Sequence, residues 1–396
     1  MGIRNFGAIV KRASAGVTKV TYHDLAVMGI VDVAIDASVF LYRFVHNAAN
    51  KRPNSHLDGF YQLFLRLMKC GLHPVLIFDG HAPQEKKQTL ESRAEHKQKA
   101  ADKLATLQQE LATLIGVTEP IPLNQVDQCG TQVKGTPIEL TVRQCIEQIH
   151  KADKNVIHFP PNMYDDIDRL CRLMNVPILR AVGEADVLCA QLYRNGQVQA
   201  IMSEDSDILL YGGGHLIRKF GWTNEVELVV LNQVLQSLHL SYDQFVDVAL
   251  LTGTDYTESI KGMGPVGVIE AIVHGAQLEQ MVKPSDLKQY QEARQLIRMA
   301  GTKEKPQTIP PFNFRLYQVD QLTHWMSEMC HYRPITIIKH YDQLRTVYTP
   351  RTKIKIVLKG ASPVGGLGDV VPASHEVTLK NTTHTSCIVT LKSKSP

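Results

Sequence analysis

Seven carboxylates in this chain stand where chemistry is possible. Asp36 ends the apolar run Val31-Asp-Val-Ala-Ile-Asp36, and Asp79 follows Pro74-Val-Leu-Ile-Phe78. Asp205 and Asp207 follow Val198-Gln-Ala-Ile-Met202, Glu184 and Asp186 open a helical pattern in Gly183-Glu-Ala-Asp186, and Asp255 sits in the turn Gly253-Thr-Asp-Tyr256. Any one of them alone is more often a helix cap or a turn residue than a ligand. Their joint pattern reads differently. In parallel α/β sheets the ligand crevice lies beyond the carboxyl ends of the strands, so acids at three strand ends converge on one place. Converging carboxylates repel one another and stay ionised only where cations offset them. An all-oxygen set without His or Cys suits Mg²⁺ or Mn²⁺ rather than Zn²⁺. Two such ions about 4 Å apart are the arrangement that hydrolyses phosphodiesters by in-line attack of water.

The elements that must position these acids follow from periodicity. The runs 31–36, 74–78, 176–179 and 198–202 read as buried strands. Helical patterns fall between them: Phe40 to Met68 with a polar break near Asn50 to Asn54, a long polar stretch from about Pro83 to Leu114, Ile138 to Ala152, Asp165 to Met174 and Glu184 to Arg194. Leu231 to Leu240 and Tyr242 to Leu251 read as helices further on. Strand and helix alternating at this spacing predict an α/β fold with a mostly parallel central sheet flanked by helices. Residues 115 to 138, rich in Gly and Pro, read as irregular. From about Gly360 the character changes to a Gly-rich linker, and His375 to Leu391 alternates like a strand.

The bulk numbers narrow the class. The chain has 396 residues, 44% of them hydrophobic and 21% charged, which is ordinary for a globular protein. Its seven cysteines form no C-x-x-C pair, so neither a disulfide framework nor a zinc ribbon is indicated, and a reducing compartment fits best. No signal-type segment opens the chain and no apolar run reaches membrane-spanning length; an intracellular protein that engages no membrane is expected. The net charge of +4 is uneven: residues 351–396 carry +5, leaving −1 for the rest. A body that binds a polyanion must do so through local patches.

As an ordered set, these motifs resemble the structure-specific 5′-nuclease superfamily of flap endonucleases, their exonuclease relatives and the xeroderma pigmentosum group G type. The residues are Met1-Gly2-Ile3, Val33-Ala-Ile-Asp-Ala-Ser38, Val75-Leu-Ile-Phe-Asp-Gly80, Gly183-Glu-Ala-Asp186, Ser203-Glu-Asp-Ser-Asp207, Leu251-Thr-Gly-Thr-Asp-Tyr256 and Ser259-Ile-Lys-Gly-Met-Gly-Pro265. The resemblance spans about residues 1 to 347. It implies a PIN-like fold with a helical arch or cap insertion, and a metal site made of Asp36, Asp79, Glu184, Asp186, Asp205, Asp207 and Asp255 that holds two Mg²⁺, with Mn²⁺ able to substitute. It implies Lys86 and Arg93 beside the scissile phosphate, on one helical face two turns apart. Tyr42 would stack on a base at the cleavage site, for which a core tyrosine is the plain alternative, and Gly2 would lie near the substrate. Gly262 and Gly264 would let backbone amides approach duplex phosphates, with Ser259, Ile260 and Met263 offering carbonyls to a K⁺ ion.

The organisation expected is a nuclease domain over 1–347 and a basic tail over 348–396. The domain comprises an N-terminal part to residue 100, an arch or cap over 101–162, and an internal part over 163–347 carrying the DNA-binding turn at about 250–275. The expected activity is Mg²⁺-dependent hydrolysis of branched or 5′-ended DNA in replication, repair or recombination. A 5′→3′ exonuclease is the alternative within the superfamily; a catalytically silent DNA-binding scaffold is the alternative outside it. Partners would be DNA with 5′ flaps, nicks or ends. A monomer is expected, in the nucleus or at sites of DNA replication. Four departures stand out. Asp186 occupies a place where flap endonucleases carry Glu. No basic residue follows Gly264-Pro265. The segment between Asp79 and Glu184 is long. No sliding-clamp-binding motif appears near the C-terminus.

Overall fold

The computed structural model describes residues 2–46, 54–80, 87–153, 156, 160–221, 223–300, 307–348, 354–355, 375–383 and 386–393. It divides into two compact units, Met1–Leu344 and Arg345–Pro396. The first is built on seven strands: β1 (Val17–Thr21), β2 (Asp32–Asp36), β3 (His73–Phe78), β4 (Ile178–Arg180), β5 (Ala200–Met202), β6 (His215–Arg218) and β7 (Glu225–Val230). Their order is β1-β7-β6-β5-β2-β3-β4. The centre is parallel: β2 pairs with β3 and β5, β3 with β4, and β5 with β6. One edge is antiparallel, where β7 pairs with β6 and β1. The sheet is therefore mixed but mostly parallel, as the alternation predicts.

Parallel strands covered on both faces must be apolar along their length. Val33, Ala34, Ile35, Val75, Leu76, Ile77, Ala200, Ile201 and Met202 are all buried accordingly. Helices Ala37–His46, Ser55–Lys69, Met163–Met174 and Ala185–Arg194 are the crossovers that cover them. Of the polar break expected near Asn50 to Asn54, Asn54 precedes the second helix at φ +62° and the rest lies outside the described residues. Gly59 lets those two helices meet: a Cβ there would stand 2.3 Å from the Phe44 ring.

The segment after β3 differs from its expectation. The long helix runs Lys87–Leu114, and the stretch read as irregular contains a 3₁₀ turn at Leu123–Gln125 and a helix Val126–Gln132 before the helix Glu139–Asp153. These elements enclose a hydrophobic core of their own, with Leu107, Leu111, Val126, Val142 and Ile149 at its centre. Gly130, which reads as a helix breaker, is what lets Ile146 approach: a Cβ there would lie 3.2 Å from its Cδ1.

In the second unit, β8 (Ile354–Lys355), β9 (His375–Thr383) and β10 (Ser386–Ser393) form an antiparallel sheet in the order β8-β10-β9. The single strand expected over 375–391 is thus two paired strands. The Gly-rich linker lies outside the described residues. No helix among the described residues is long and apolar enough to cross a membrane.

Candidate metal centre

The register of β2 against its neighbours places the acids. Asp36 pairs with Ile77 of β3, and Ile35 pairs with Met202 of β5. Asp36, Asp79 and the Ser203–Asp207 loop therefore leave the sheet at one level. Backbone bonds fix the next turn beside them: Ala181 N donates to Phe78 O at 2.9 Å, and Gly80 N to Gly183 O at 2.8 Å. Gly80 is required there, because a Cβ would meet Ala181 O at 2.1 Å. This close approach sets Glu184 and Asp186, at the start of helix Ala185–Arg194, beside Asp79, whose Oδ1 accepts from Ala185 N at 2.8 Å.

Asp36 is buried. Ser203 Oγ donates to its Oδ2 at 2.8 Å and Ser38 N to its Oδ1 at 3.2 Å. Even so, burial together with the Asp79 charge, and less strongly the Asp205 charge, pushes its carboxyl up to about 7. Cys189, buried behind the site, is raised first by burial and then by the charges of Asp36, Asp186 and Asp79, so these acids surround one point. Tyr211 is raised by burial, by its neighbour Tyr256, and by the charges of Asp207 and Glu184. Asp205 caps the 3₁₀ helix Ser206–Tyr211 by accepting from Asp207 N at 3.0 Å. Asp255 is half-buried in a turn tied to this helix by the Tyr256–Tyr211 hydroxyl contact at 2.8 Å.

The third acid of that loop behaves differently. Glu204 lies 3.3 Å from the Arg43 guanidinium and accepts from Lys219 N at 3.2 Å. A cation thus neutralises Glu204, while acids and hydroxyls surround Asp36.

The N-terminus is threaded into the same place. Ile3 N donates to Ser206 Oγ at 3.0 Å, and Arg4 N to Gly253 O at 2.8 Å. Gly2 adopts φ +87°, and a Cβ on it would fall 2.2 Å from Asp205 Oδ1. The serines, Gly80 and Gly253 were not singled out by sequence reasoning. Their signal was present, since Ser38 and Ser203 each stand two residues from an acid, but a hydroxyl at that offset is too common to be read alone.

The other sequence-derived candidates are distributed as follows. Tyr42, on helix Ala37–His46, is 43% exposed, not packed as a core tyrosine would be. Gly262 has φ +84°, and Gly264 caps helix Pro265–Val273; neither has an atom within 4 Å of where a Cβ would stand, so their backbone is open to an approaching ligand. Ser259 and Met263 are exposed and Ile260 is half-buried beside them. Lys86 lies outside the described residues, and Arg93 belongs to helix Lys87–Leu114.

Among the described residues, no three His, Cys, Asp or Glu side chains close into a ready-made metal-binding group. The oxygens turn instead to local donors: Asp79 takes the Ser38 hydroxyl and the Ala185 amide, and Asp36 takes Ser203. Like charges relax in this way when donors lie closer than a counter-charge. The donor set nevertheless fits a hard divalent cation, being all oxygen and short of positive charge at Asp36.

Two family models match the chain, the XPG N-terminal domain over residues 1–100 and the XPG I-region over residues 175–255. Flap endonuclease 1 of Xenopus tropicalis is 30% identical over 318 residues, covering 75% of this chain and 74% of that protein. The catalytic core of Rad2 in complex with DNA substrate superposes with a TM-score of 0.59 at 20% identity, over 87% of this chain and all of that one. The Holliday junction-resolving enzyme GEN1, solved with product DNA and a Mg²⁺ ion, gives 0.51 at 17% identity over 87% of this chain and 78% of that one. At these identities the two structures speak for the fold, and the family rests on the sequence matches. On those matches, the chain belongs to the structure-specific 5′-nuclease superfamily.

Proposed function

We propose that this protein is a Mg²⁺-dependent nuclease that hydrolyses a phosphodiester of branched or 5′-ended DNA, with a 5′ flap as its preferred substrate. The observation that carries the reading is Asp36: a buried carboxylate pushed up to about 7 beside Asp79 and Asp205, at the carboxyl ends of parallel strands. A site that concentrates negative charge in this way binds cations, not a bare polyanion. Asp36, Asp79, Glu184, Asp186, Asp205, Asp207 and Asp255 would hold two ions, which when bound supply an activated water and offset charge on the leaving oxygen.

The chain's own residues do the rest. Ser38 and Ser203 orient Asp79 and Asp36. Gly2 keeps the N-terminus close to Asp205 without a side chain that would displace it. Lys86 and Arg93 offset charge at the scissile phosphate. The open backbone at Gly262 and Gly264 meets the phosphates of the duplex, and Ser259, Ile260 and Met263 would hold a K⁺ ion, which would supply positive charge beside that backbone.

The test is one labelled substrate set, with Mg²⁺ or with EDTA: a double 5′ flap, a nicked duplex, a blunt duplex and a four-way junction. A single Mg²⁺-dependent cut near the flap base is expected, lost in Asp79→Asn and in Asp205→Asn. Parental rates in both variants would refute the mechanism. A ladder of short products from nicked or blunt ends would assign the chain to the exonuclease branch, toward which Asp186 in place of Glu already leans.

A further inference from the structure

A cavity of about 320 Å³ opens beside the acids, lined by Ser38, Phe78, Asp79, Gly80, Tyr164 and Arg180. Two of these residues belong to no part of the metal centre. Tyr164, at the start of helix Met163–Met174, meets Phe78 edge-on with ring centroids 5.5 Å apart at 72°, yet is itself 45% exposed. Arg180, the last residue of β4, lays its guanidinium 5.1 Å from the Phe78 ring centroid. Asp168 fixes it there, with both carboxylate oxygens 2.8 and 2.9 Å from Nη2.

We infer that this cavity is a base pocket, in which Tyr164 stacks on the nucleobase of a nucleotide flanking the scissile phosphate. The inference deepens the nuclease reading and rests on it. Three features select a base over a phosphate. The Arg180 charge is already met by Asp168, and the Asp79 carboxylate on the rim repels an anion. The Tyr164 ring and the Arg180 plane are flat surfaces suited to an uncharged aromatic group. The volume is at the small end of ligand pockets, sized for one planar ring system. Ser38 and Asp79 belong both to this cavity and to the metal centre, so the pocket's occupant is joined to the phosphate under attack. Stacking on an aromatic ring tolerates any base, which suits an enzyme that reads DNA shape and not sequence. Tyr164 is thus a substrate-binding residue: it holds one flanking nucleotide equally in the bound and the reacting state.

The experiment uses the full-length protein and a 5′ flap with 2-aminopurine placed in turn at the two nucleotides flanking the cleaved bond. Binding is read by fluorescence in Ca²⁺ and cleavage in Mg²⁺. At one of the two positions the parental protein should quench the probe, and Tyr164→Ala should lose the quench. The same variant should raise KM about thirtyfold, the middle of the range for loss of one base stack, while kcat stays near parental; Tyr164→Phe should restore both the quench and KM. An abasic residue at that position should weaken parental binding to the same extent and add nothing in Tyr164→Ala. Parental behaviour of Tyr164→Ala, or equal binding of abasic and intact flaps, overturns the pocket. If binding is unchanged by the abasic site but falls in Arg180→Gln, the occupant is a phosphate and the inference is wrong. The two readings fail separately: absence of Mg²⁺-dependent cleavage sinks the nuclease, whereas absence of quench in Ca²⁺ sinks the pocket.

Discussion

Replacing Asp36 by asparagine should stabilise the metal-free protein while weakening its response to Mg²⁺. The Asp36 carboxyl is pushed up to about 7 in the folded state by burial and by Asp79, against about 3.9 in an unfolded chain. A carboxyl raised in this way binds its proton more tightly when folded. Between about pH 4 and pH 7 the folded state therefore holds more protons than the unfolded one, and stability falls as pH rises through that window. Three pKa units correspond to about 4 kcal/mol of cost at pH 8. Asparagine keeps the shape and removes the charge, but it weakens the bonds from Ser203 Oγ and Ser38 N, which favour a carboxylate. The raised value is already net of the Ser203 bond, so only the Ser38 bond, about 1 kcal/mol, is subtracted, which leaves a net gain of about 3 kcal/mol, or several degrees in Tm. Thermal unfolding at pH 8 in EDTA, repeated in saturating Mg²⁺, measures it. The parental protein should gain stability from Mg²⁺ by mass action, and Asp36→Asn should be more stable without the ion and gain less from it. A variant less stable than the parent in EDTA at pH 8 would refute the electrostatic reasoning.

Three further outcomes are expected. Gly2→Ala puts a Cβ 2.2 Å from Asp205 Oδ1 at φ +87°, so flap cleavage should fall at least tenfold with the Tm nearly unchanged; full activity would show that the N-terminus does not set the acids. Leu111→Ala, in the separate core after β3, should cost about 2–5 kcal/mol locally; hydrogen exchange should then speed up across residues 104–153 while amides of β2, β3 and β5 keep their protection, and uniform loss of protection would contradict an independent core. His56 is fully buried, 3.5 Å from Asp166, and burial holds its pKa below the ordinary value despite that carboxylate. The unfolded state then takes up the proton first, so stability falls as pH drops below about 6.5, by at most about 1.4 kcal/mol per unit; His56→Gln should show a smaller loss from pH 7 to pH 5 than the parent, and an equal loss would exclude the histidine.

The parallel half of the sheet was legible because buried strands must be apolar throughout and polar where they emerge, so β2, β3 and β5 announce both their positions and their acids. The antiparallel edge was not. In β1, Val-Thr-Lys-Val-Thr pairs with Glu225–Val229 of β7, and its alternation over five residues is too short to separate from a turn. The helix Val126–Gln132 was hidden by its own Gly130, whose missing side chain serves a contact with Ile146 that only the folded insert creates. In both cases the sequence holds the local signal and the deciding partner lies far along the chain.

Within the candidate site the same distinction separates Glu204 from its neighbours. Ser203-Glu-Asp-Ser-Asp207 offers three acids, and the cap of the 3₁₀ helix Ser206–Tyr211, where Asp205 accepts from Asp207 N, brings two of them together. Glu204, before the cap, instead meets Arg43 and the Lys219 amide. Arg43 is steadied by Phe220, its guanidinium 4.7 Å from a ring that stacks on Phe40 at 4.1 Å. The loop thus carries an acid neutralised within the protein beside two that are proposed to hold a metal ion. Composition treats the three alike; their partners in the fold tell them apart, because a carboxylate that finds an arginine has no further need of a metal.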